Sequence, residues 1–538
     1  MTAPATASVS TWAPLASRVF RALWIAQLVS NLGTWMQTVG AQWLLVDEPG
    51  AATLVSLVQT ATTLPVMLLS IPSGVLADLL DRRRLLIGAQ SAMAMCAVLL
   101  TVVTATGRIT PLLLLTLLFL LGIGQAMTAP AWQAIQPELV PRNEIPAAAA
   151  LGSMSQNVGR AVGPAIAGML VSLVGPTLVF AVNAVSFLGV VGVLILWRRP
   201  GDDQDLPAER PIAALQAGLR FIRASPAIRR VLLRSILFIG PASALWALLP
   251  VIAHDRLGLS SSGYGLLLGA LGVGAVVGAT QLGRLRRALS PTRLLALAAV
   301  LFGGATLAAA IVPIAAIVLV ALVFGGFSWL VALSTMNSIM QLLLPGWVRA
   351  RGLSVYQLVF MGGQAVGSLV WGVVAGAYGT TAALWCAAIL LGGCAVSTLW
   401  LPVRVTSLDT THAAYWPEPI LEIEPDPEDG PVLVLVTYHV PEESAADFSE
   451  AMARVGRSRQ RTGAMEWRLY RDVGVADRYI EAFVVRSWEE HMRQHQVRLT
   501  AQDRLVEDRI EKYTTGESNT LHLVAVQPVQ QVRTWRRG

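Results

Sequence analysis

Between residues 18 and 401 the chain is a succession of long apolar runs, broken by short clusters of Arg, Gly, Pro and acidic residues. A bilayer core of ~30 Å takes about 20 apolar residues per helix, and runs of that kind begin near residues 19, 53, 84, 110, 146, 176, 229, 261, 292, 314, 351 and 380. The runs are continuous and lack the strict alternation of a membrane barrel, so the pattern predicts helices, which satisfy their own backbone polar groups in lipid. Twelve spans are predicted, six before and six after a break at 198–228. Within that break Leu215, Leu219 and Ile222 recur at helical spacing beside Arg220 and Arg223, which predicts an amphipathic helix on the membrane surface.

After Leu401 the pattern changes. Residues 402–430 are rich in Pro, Glu and Asp and read as an extended acidic linker. Beyond them, strand-like alternation at 432–440, 465–471, 478–486 and 521–526 frames amphipathic helices at 442–461, 487–499 and 500–512. Ser487 with Glu490 and Thr500 with Asp503 have capping-box spacing. The order βαββαβ predicts a small ferredoxin-like α+β domain. The organisation expected is a tail (1–18), a first six-helix half (19–197), a central loop (198–228), a second six-helix half (229–401), a linker (402–430), the ferredoxin-like domain (431–528) and a basic tail (529–538).

The two halves repeat each other. The segment Gly74-Val75-Leu76-Ala77-Asp78-Leu79-Leu80-Asp81-Arg82-Arg83-Arg84 has an echo in which Gly278 takes the place of Gly74, and Arg286 and Arg287 those of Arg82 and Arg83. At the same offset Gly159, Gly163 and Gly168 return as Gly363, Gly367 and Gly372. Two matches in one register indicate a unit used twice in the same direction, the plan of a two-half transporter around a central path.

Charge fixes the expected orientation. Arg18, Arg21, Arg82, Arg83, Arg84, Arg142, Arg198, Arg199, Arg220, Arg223, Arg229, Arg230, Arg284, Arg286, Arg287, Arg349, Arg351 and Arg404 fall on one side of a twelve-span scheme, and the other side has Arg108 and Arg256. By the positive-inside rule the rich side is cytoplasmic, and both termini are placed there. The first run has the character of a retained helix and not of a cleaved signal. The net charge of +7 is accounted for by basic loops beside an anionic leaflet, so no nucleic-acid partner is implied. Cys96, Cys386 and Cys394 lie in predicted spans without metal or disulfide spacing.

Candidate chemistry follows from polar residues in apolar helices, which are costly in lipid and so belong on an interior face or a wet cavity. Gln27, Asn31, Thr34, Thr38 and Gln42 make one stripe on the first helix; Gln125, Gln133, Gln156, Asn157, Arg160, Asn337, Gln341, Tyr356, Gln357 and Gln364 add polar groups from other helices. Trp35, Trp43, Trp132, Trp329 and Trp371 offer flat walls. Such a lining suits a sizeable amphipathic organic solute; interhelical hydrogen bonding and tryptophan belts are the alternative. Arg160 is the one cation placed well inside a span, and its repeat partner is Gln364. No Asp or Glu falls mid-span, leaving Asp47, Glu48 and Asp255 at span ends as proton-carrier candidates. In the soluble domain Trp488, His491 and His495 are pocket candidates, His439 and His522 are expected to be neighbours, and no metal set or cofactor is expected.

The Gly74–Arg84 segment resembles motif A of the major facilitator superfamily, with Leu79 and Asp81 departing from it, and Gly159, Gly163, Pro164 and Gly168 resemble the helix-five motif of its exporters. Together with Pro137-Glu138-Leu139-Val140-Pro141-Arg142, they make the chain similar to the enterobactin-exporter-like group, the transmembrane secretion effectors. The resemblance implies twelve transmembrane helices in two parallel six-helix repeats, and export of a drug, siderophore or secondary metabolite from the bacterial inner membrane by alternating access with proton antiport. It further implies a latch in which Asp78, with Gly74, Arg82 and Arg83, meets a neighbouring helix N-terminus, and a helix five that seals the cavity. Uptake, a sensor without flux, and fusion to an active enzyme stay open. The last arises because the tail resembles antibiotic-biosynthesis-monooxygenase-like domains, which work without a prosthetic group and usually dimerise.

Overall fold

The computed structural model describes residues 12–197, 211–403, 413, 415, 416, 419, 421–516 and 518–526, with the side chains of a few helical positions, Asp78 among them, outside the described set. It divides into two compact units: residues 1–206, 232–337 and 354–404 form one, and residues 207–231, 338–353 and 405–538 form the other.

The helices of the first six-span half are α1 (Arg18–Leu44), α2 (Ala51–Leu79), α3 (Arg82–Ala105), α4 (Pro111–Leu139), α5 (Ile145–Val174) and α6 (Pro176–Leu196). After α7 (Pro211–Ala224) come α8 (Pro226–Val251), α9 (Ser261–Ala288), α10 (Pro291–Ile311), α11 (Ala315–Leu343), α12 (Gly346–Tyr378) and α13 (Thr380–Val396). Ten of these, α2 to α6 and α8 to α12, are long and apolar enough to cross a bilayer. The 17-residue α13 is shorter, and α1 carries the polar stripe that lowers its hydropathy. Their ends follow local rules. Ser17, Asp81, Thr110 and Ser290 each accept a backbone N–H at a helix start, and Pro111, Pro176 and Pro291 open helices where the missing N–H costs nothing. Hydroxyls inside the spans bond back to preceding carbonyls, as Ser56, Thr62, Thr63, Ser73 and Thr101 do, so that they enter an apolar medium satisfied.

Glycine packing shows the duplication in three dimensions. A Cβ on Gly163 of α5 would lie 2.9 Å from Trp35 Cβ of α1, and one on Gly367 of α12 would lie 2.8 Å from the Gly240 carbonyl of α8. One step along, Gly168 of α5 abuts Ser261 and Gly265 of α9, while Gly372 of α12 abuts Ser56 and Ala52 of α2. Each half therefore lays its fifth helix on its own first helix and presents it to the second helix of the other half.

The second unit contains a four-stranded antiparallel sheet of β1 (Val432–His439), β2 (Glu466–Arg471), β3 (Arg478–Val485) and β4 (Asn519–Val524), in the order β2-β3-β1-β4. With α14 (Ala445–Thr462), α15 (Trp488–Arg493), a π-helical turn at Gln494–Arg498 and α16 (Ala501–Glu507), this is the ferredoxin-like arrangement. Val432, Val434, Val436, Tyr438, Phe448, Met452, Val455, Phe483 and Val485 form its core. Thr500 and Asp503 make the capping box their spacing predicts.

Two expectations are corrected. The apolar face of α7 is not left to a membrane surface: Ala217, Phe221 and Ile222 are buried. Phe221 meets Trp347 edge-on at 5.6 Å, Arg461 of α14 lies over the Phe221 ring, and Arg220 donates to Glu490 at 2.6 Å. An amphipathic pattern specifies that a face is covered but not by what, and here protein covers it. Nor is the acidic linker extended throughout. Tyr415 and Trp416 both donate to Glu507, at 2.7 and 2.9 Å, and Trp416 packs against the domain core.

Candidate functional site

The first six-helix half lines a cavity of about 610 Å³. From α1 it takes Trp24, Gln27, Ser30, Asn31 and Thr34; from α4, Gln125, Thr128, Trp132 and Gln133; from α5, Ser153, Ser155 and Gln156. Gln27 donates to Asn31 at 3.2 Å, and Asn31 donates to Ser155 at 2.9 Å, so the amides form a chain across the α1–α5 wall.

The stripe on α1 divides at Thr34. Below it, Gln27, Asn31 and Thr34 reach the cavity. Above it, Thr38 donates to the Thr34 carbonyl at 3.0 Å, and Gln42 is buried, accepting a 2.6 Å hydrogen bond from the Tyr264 hydroxyl of α9. The division falls at Trp35. Trp35, Arg160, Pro164, Trp246 and Trp329 surround a crevice of about 10 Å³, at the limit of what one water occupies. The Arg160 guanidinium lies over the Trp35 ring at 5.5 Å, a cation–π geometry, and Trp246 joins Trp35 to Trp329 at centroid distances of 6.5 and 5.4 Å.

Among the described residues, contacts between the halves gather on the far side of this aromatic layer, toward the α1–α2 turn. Besides Gln42–Tyr264, Trp43 stacks on Tyr264 at 6.1 Å and meets His254 edge-on. His254 contacts Asp47 at 3.2 Å and Asp255 at 2.8 Å. Thr53 and Thr60 of α2 donate to the Gly372 and Ala365 carbonyls of α12. The π-turn at Ile252–Arg256 supplies His254 and Asp255, so this histidine, absent from the candidates named above, links two acids that were among them.

The other candidates are placed as follows. Gln125 lines the cavity with the α1 amides. Asn157 is exposed and donates back to the Ser153 carbonyl. Asn337, Gln341 and Gln357 are exposed and Gln364 half-buried; none of these is on the cavity wall. Gly159 and Gly163 bring α5 onto Asn31 and Trp35 of α1, Pro164 carries the Gly265 contact, and Gly168 reaches α9. Among the described residues nothing lies within 4 Å of a Cβ placed on Gly74. The Asp78 side chain lies outside the described residues, so its latch remains an expectation. Arg82 pairs with Glu138 of α4 at 2.8 Å, and Arg83 donates to the Leu194 and Ile195 carbonyls ending α6. These arginine contacts stay within one half and neutralise a helix C-terminus. Arg234 does the same for α13, donating to the Cys394 and Leu401 carbonyls; its sequence position at a span end gave no sign of it.

In the soluble domain Trp488, His491 and His495 come together, with ring centroids 5.5 Å apart for Trp488–His491 and 4.7 Å for His491–His495. The expected His439–His522 neighbourhood is not formed. In the β1–β4 register His522 stands opposite Val434, on the helix-covered face, whereas His439 stands opposite Arg478 and contacts Asp477. His522 is 4.9 Å from His491 by ring centroid. Burial, and then the neighbouring rings, hold His491 down at about 3; burial and His522 hold His495 at about 4; burial lowers His522. His491 and His495 are therefore neutral imidazoles at pH 7. Beside them Glu481, fully buried, takes hydrogen bonds from Arg459 at 3.0 Å, Tyr438 at 2.9 Å and Trp467 at 2.9 Å. Burial opposes the charge on Arg459, but Glu481 and Glu507 outweigh it and raise its affinity for the proton. Nothing in the spacing of Arg459, Glu481 and Glu507 along the chain announced this network.

Comparison with known proteins supplies the family. The family model described as transmembrane secretion effector matches residues 9–530. The chain is 26% identical to the multidrug efflux pump Tap of Mycolicibacterium fortuitum, over 71% of this chain and 95% of that protein. It is 26% identical to the enterobactin exporter EntS of Escherichia coli O1:K1 / APEC, over 66% and 84%. It is 27% identical to macrolide efflux protein A of Streptococcus pyogenes, over 44% of this chain but only 59% of that protein's length. Among solved structures, a point mutant of the nucleoside transporter NupG aligns with a TM-score of 0.60 at 12% identity, covering 72% of this chain and all of that one. A bacterial homologue of the human lysosomal transporter Spinster, inward-facing and occupied, aligns at 0.59 and 16% identity, covering 72% and 97%. At such identities the structures speak for the major facilitator fold alone, but the family match spans nearly the whole chain: this protein belongs to the transmembrane secretion effector family of major facilitator transporters.

Proposed function

We propose that this protein is a secondary active exporter that carries a small hydrophobic or amphipathic organic compound out across the bacterial inner membrane by alternating access, driven by proton antiport. The observation that carries the reading is the divided stripe on α1. One continuous polar face would be an expense without purpose if only its lower part met a cavity. It makes sense if the halves rock, wetting Gln27, Asn31 and Thr34 in one state and Thr38 and Gln42 in the other. With the arginine-rich loops taken as cytoplasmic, the conformation here is open inward, and the Trp35–Trp246–Trp329 layer with Arg160 is the barrier. The amide-lined 610 Å³ cavity is within the usual range for organic ligands, ~300 to 1,000 Å³, and the relatives, among them a macrolide efflux protein, an enterobactin exporter and a multidrug efflux pump, favour export over uptake.

Proton coupling is assigned to Asp47, His254 and Asp255, a titratable set joining the halves at the closed end. The soluble domain is read as a regulatory or self-associating module. The sheet face away from the helices carries Leu433, Leu435, Val484, Leu521 and Leu523, an apolar surface fit for a second copy. Everted vesicles test the reading: an imposed inward-acid gradient should drive accumulation of a fluorescent amphipathic drug, and His254→Ala should abolish the gradient dependence. Accumulation insensitive to a protonophore, or binding without net flux, would sink it.

A further inference from the structure

We infer that His491, His495 and His522 form a binding site for a divalent transition-metal cation of the zinc type, inside the soluble domain. One ring nitrogen from each lies within 4.8 Å of the others, and His491 Nε2 and His495 Nε2 are 3.2 Å apart. Two imidazole nitrogens on one tetrahedral Zn²⁺, each at ~2.0 to 2.1 Å, stand about 3.3 to 3.4 Å apart. The first pair therefore already has the spacing of a shared ion, and a side-chain rotation of roughly 1 to 2 Å brings in the third.

Three further features fit. The ligand pair lies across the junction of α15 and the π-turn at Gln494–Arg498, the kind of helical irregularity that is frequent at functional sites. His522 comes from β4, the far edge of the sheet, and its buried Nε2 has no hydrogen-bond partner among the described residues, so a ligand that takes its lone pair relieves a cost of burial. Metal-bound imidazoles usually donate their other N–H to an outer acceptor. Gln494 is fixed by its own amide donating to Thr462 at 2.7 Å, and its buried carbonyl oxygen lies one turn from His491. With Nε2 given to the ion, His491 Nδ1 has that acceptor at hand.

Charge and access are compatible. Arg459 is the cation near the rings, and it is outnumbered by Glu481 and Glu507, to both of which it is bonded. Trp416 covers His495 edge-on at 4.7 Å, and Trp488 flanks both His491 and His522. The walls are aromatic, and three protein ligands leave a fourth position for water or a small donor. A bound ion would tie the helical layer to an edge strand and so link the order of this domain to metal supply. This does not rest on the transport reading.

The test uses full-length protein in detergent with a histidine-free affinity tag. After chelation and dialysis, Co²⁺ titration should give a tetrahedral visible spectrum saturating at one equivalent, displaced by Zn²⁺, and Zn²⁺ should raise the thermal unfolding midpoint. His522→Gln, on a half-buried edge strand, and the pair His491→Gln/His495→Gln should each weaken Co²⁺ binding at least tenfold. His439→Gln should leave it unchanged. Absence of the tetrahedral spectrum, unchanged affinity in a monodisperse His522→Gln protein, or an equal loss in His439→Gln would overturn the assignment.

Discussion

Replacing Gly168 by alanine should push the transporter out of the conformation described here without unfolding it. An added Cβ would lie 2.4 Å from the Ser261 carbonyl oxygen and 2.9 Å from Gly265 Cα. Both obstacles are α9 backbone in the opposite half, so no rotamer change relieves them, and α5 and α9 must part by about 1 Å. Overpacking of this kind costs about 1 to 3 kcal/mol, a factor of roughly 5 to 150 in the equilibrium between states. An outward-open minority of about 1 to 10% would become a substantial population. The assay is labelling of Thr38→Cys by a membrane-impermeant maleimide added outside, in a background with Cys96, Cys386 and Cys394 replaced. Thr38 is on the part of the stripe above the aromatic layer, so labelling should rise several-fold in Gly168→Ala. Gly159→Ala is the control, because its Cβ would press on the Asn31 backbone at 3.0 Å within the same half; it should lower stability and leave labelling unchanged. Equal labelling in the parent and Gly168→Ala, or a rise in Gly159→Ala alone, would refute the role given to the α5–α9 contact.

Other outcomes follow from the same geometry. Tyr264→Phe deletes the 2.6 Å bond to buried Gln42 and should favour opening by about 1 to 2 kcal/mol, read as increased external labelling at Thr38→Cys. Asn31→Leu breaks the amide chain through Ser155 and should cut drug accumulation in everted vesicles at least fivefold at equal protein levels; full activity would remove the cavity from the substrate path. Glu481→Gln leaves Arg459 buried with Glu507 as its remaining acid and should destabilise the soluble domain by about 3 to 5 kcal/mol, seen as an early unfolding transition in near-ultraviolet circular dichroism.

The helical part was largely legible because lipid leaves few choices: span length and polar satisfaction each act locally along the chain. The α1 stripe showed its shared face, but not that Trp35 would split it, since that depends on Trp246 and Trp329 approaching from the other half. Candidates on the second half, such as Asn337 and Gln357, share the chemistry of Gln27 and Asn31 yet lie off the cavity wall, because residue type does not tell which helix faces enclose it. In the ferredoxin-like domain, capping at Thr500 and the succession of strands and helices followed from local pattern. The approach of His522 to His491 did not, because it depends on the β1–β4 register, and a one-residue shift would have turned the ring to the opposite face.

The central claim is that two duplicated bundles rock about the aromatic layer, and spin-label distances at the two ends test it most directly. One pair, Glu48→Cys with Ser260→Cys, reports the closed end, and another, Leu80→Cys with Ala288→Cys, reports the arginine-rich end. On adding transported drug or acidifying the outer face, the first distance should lengthen as the second shortens. Changes of the same sign at both ends, or none at either while transport proceeds, would contradict the account.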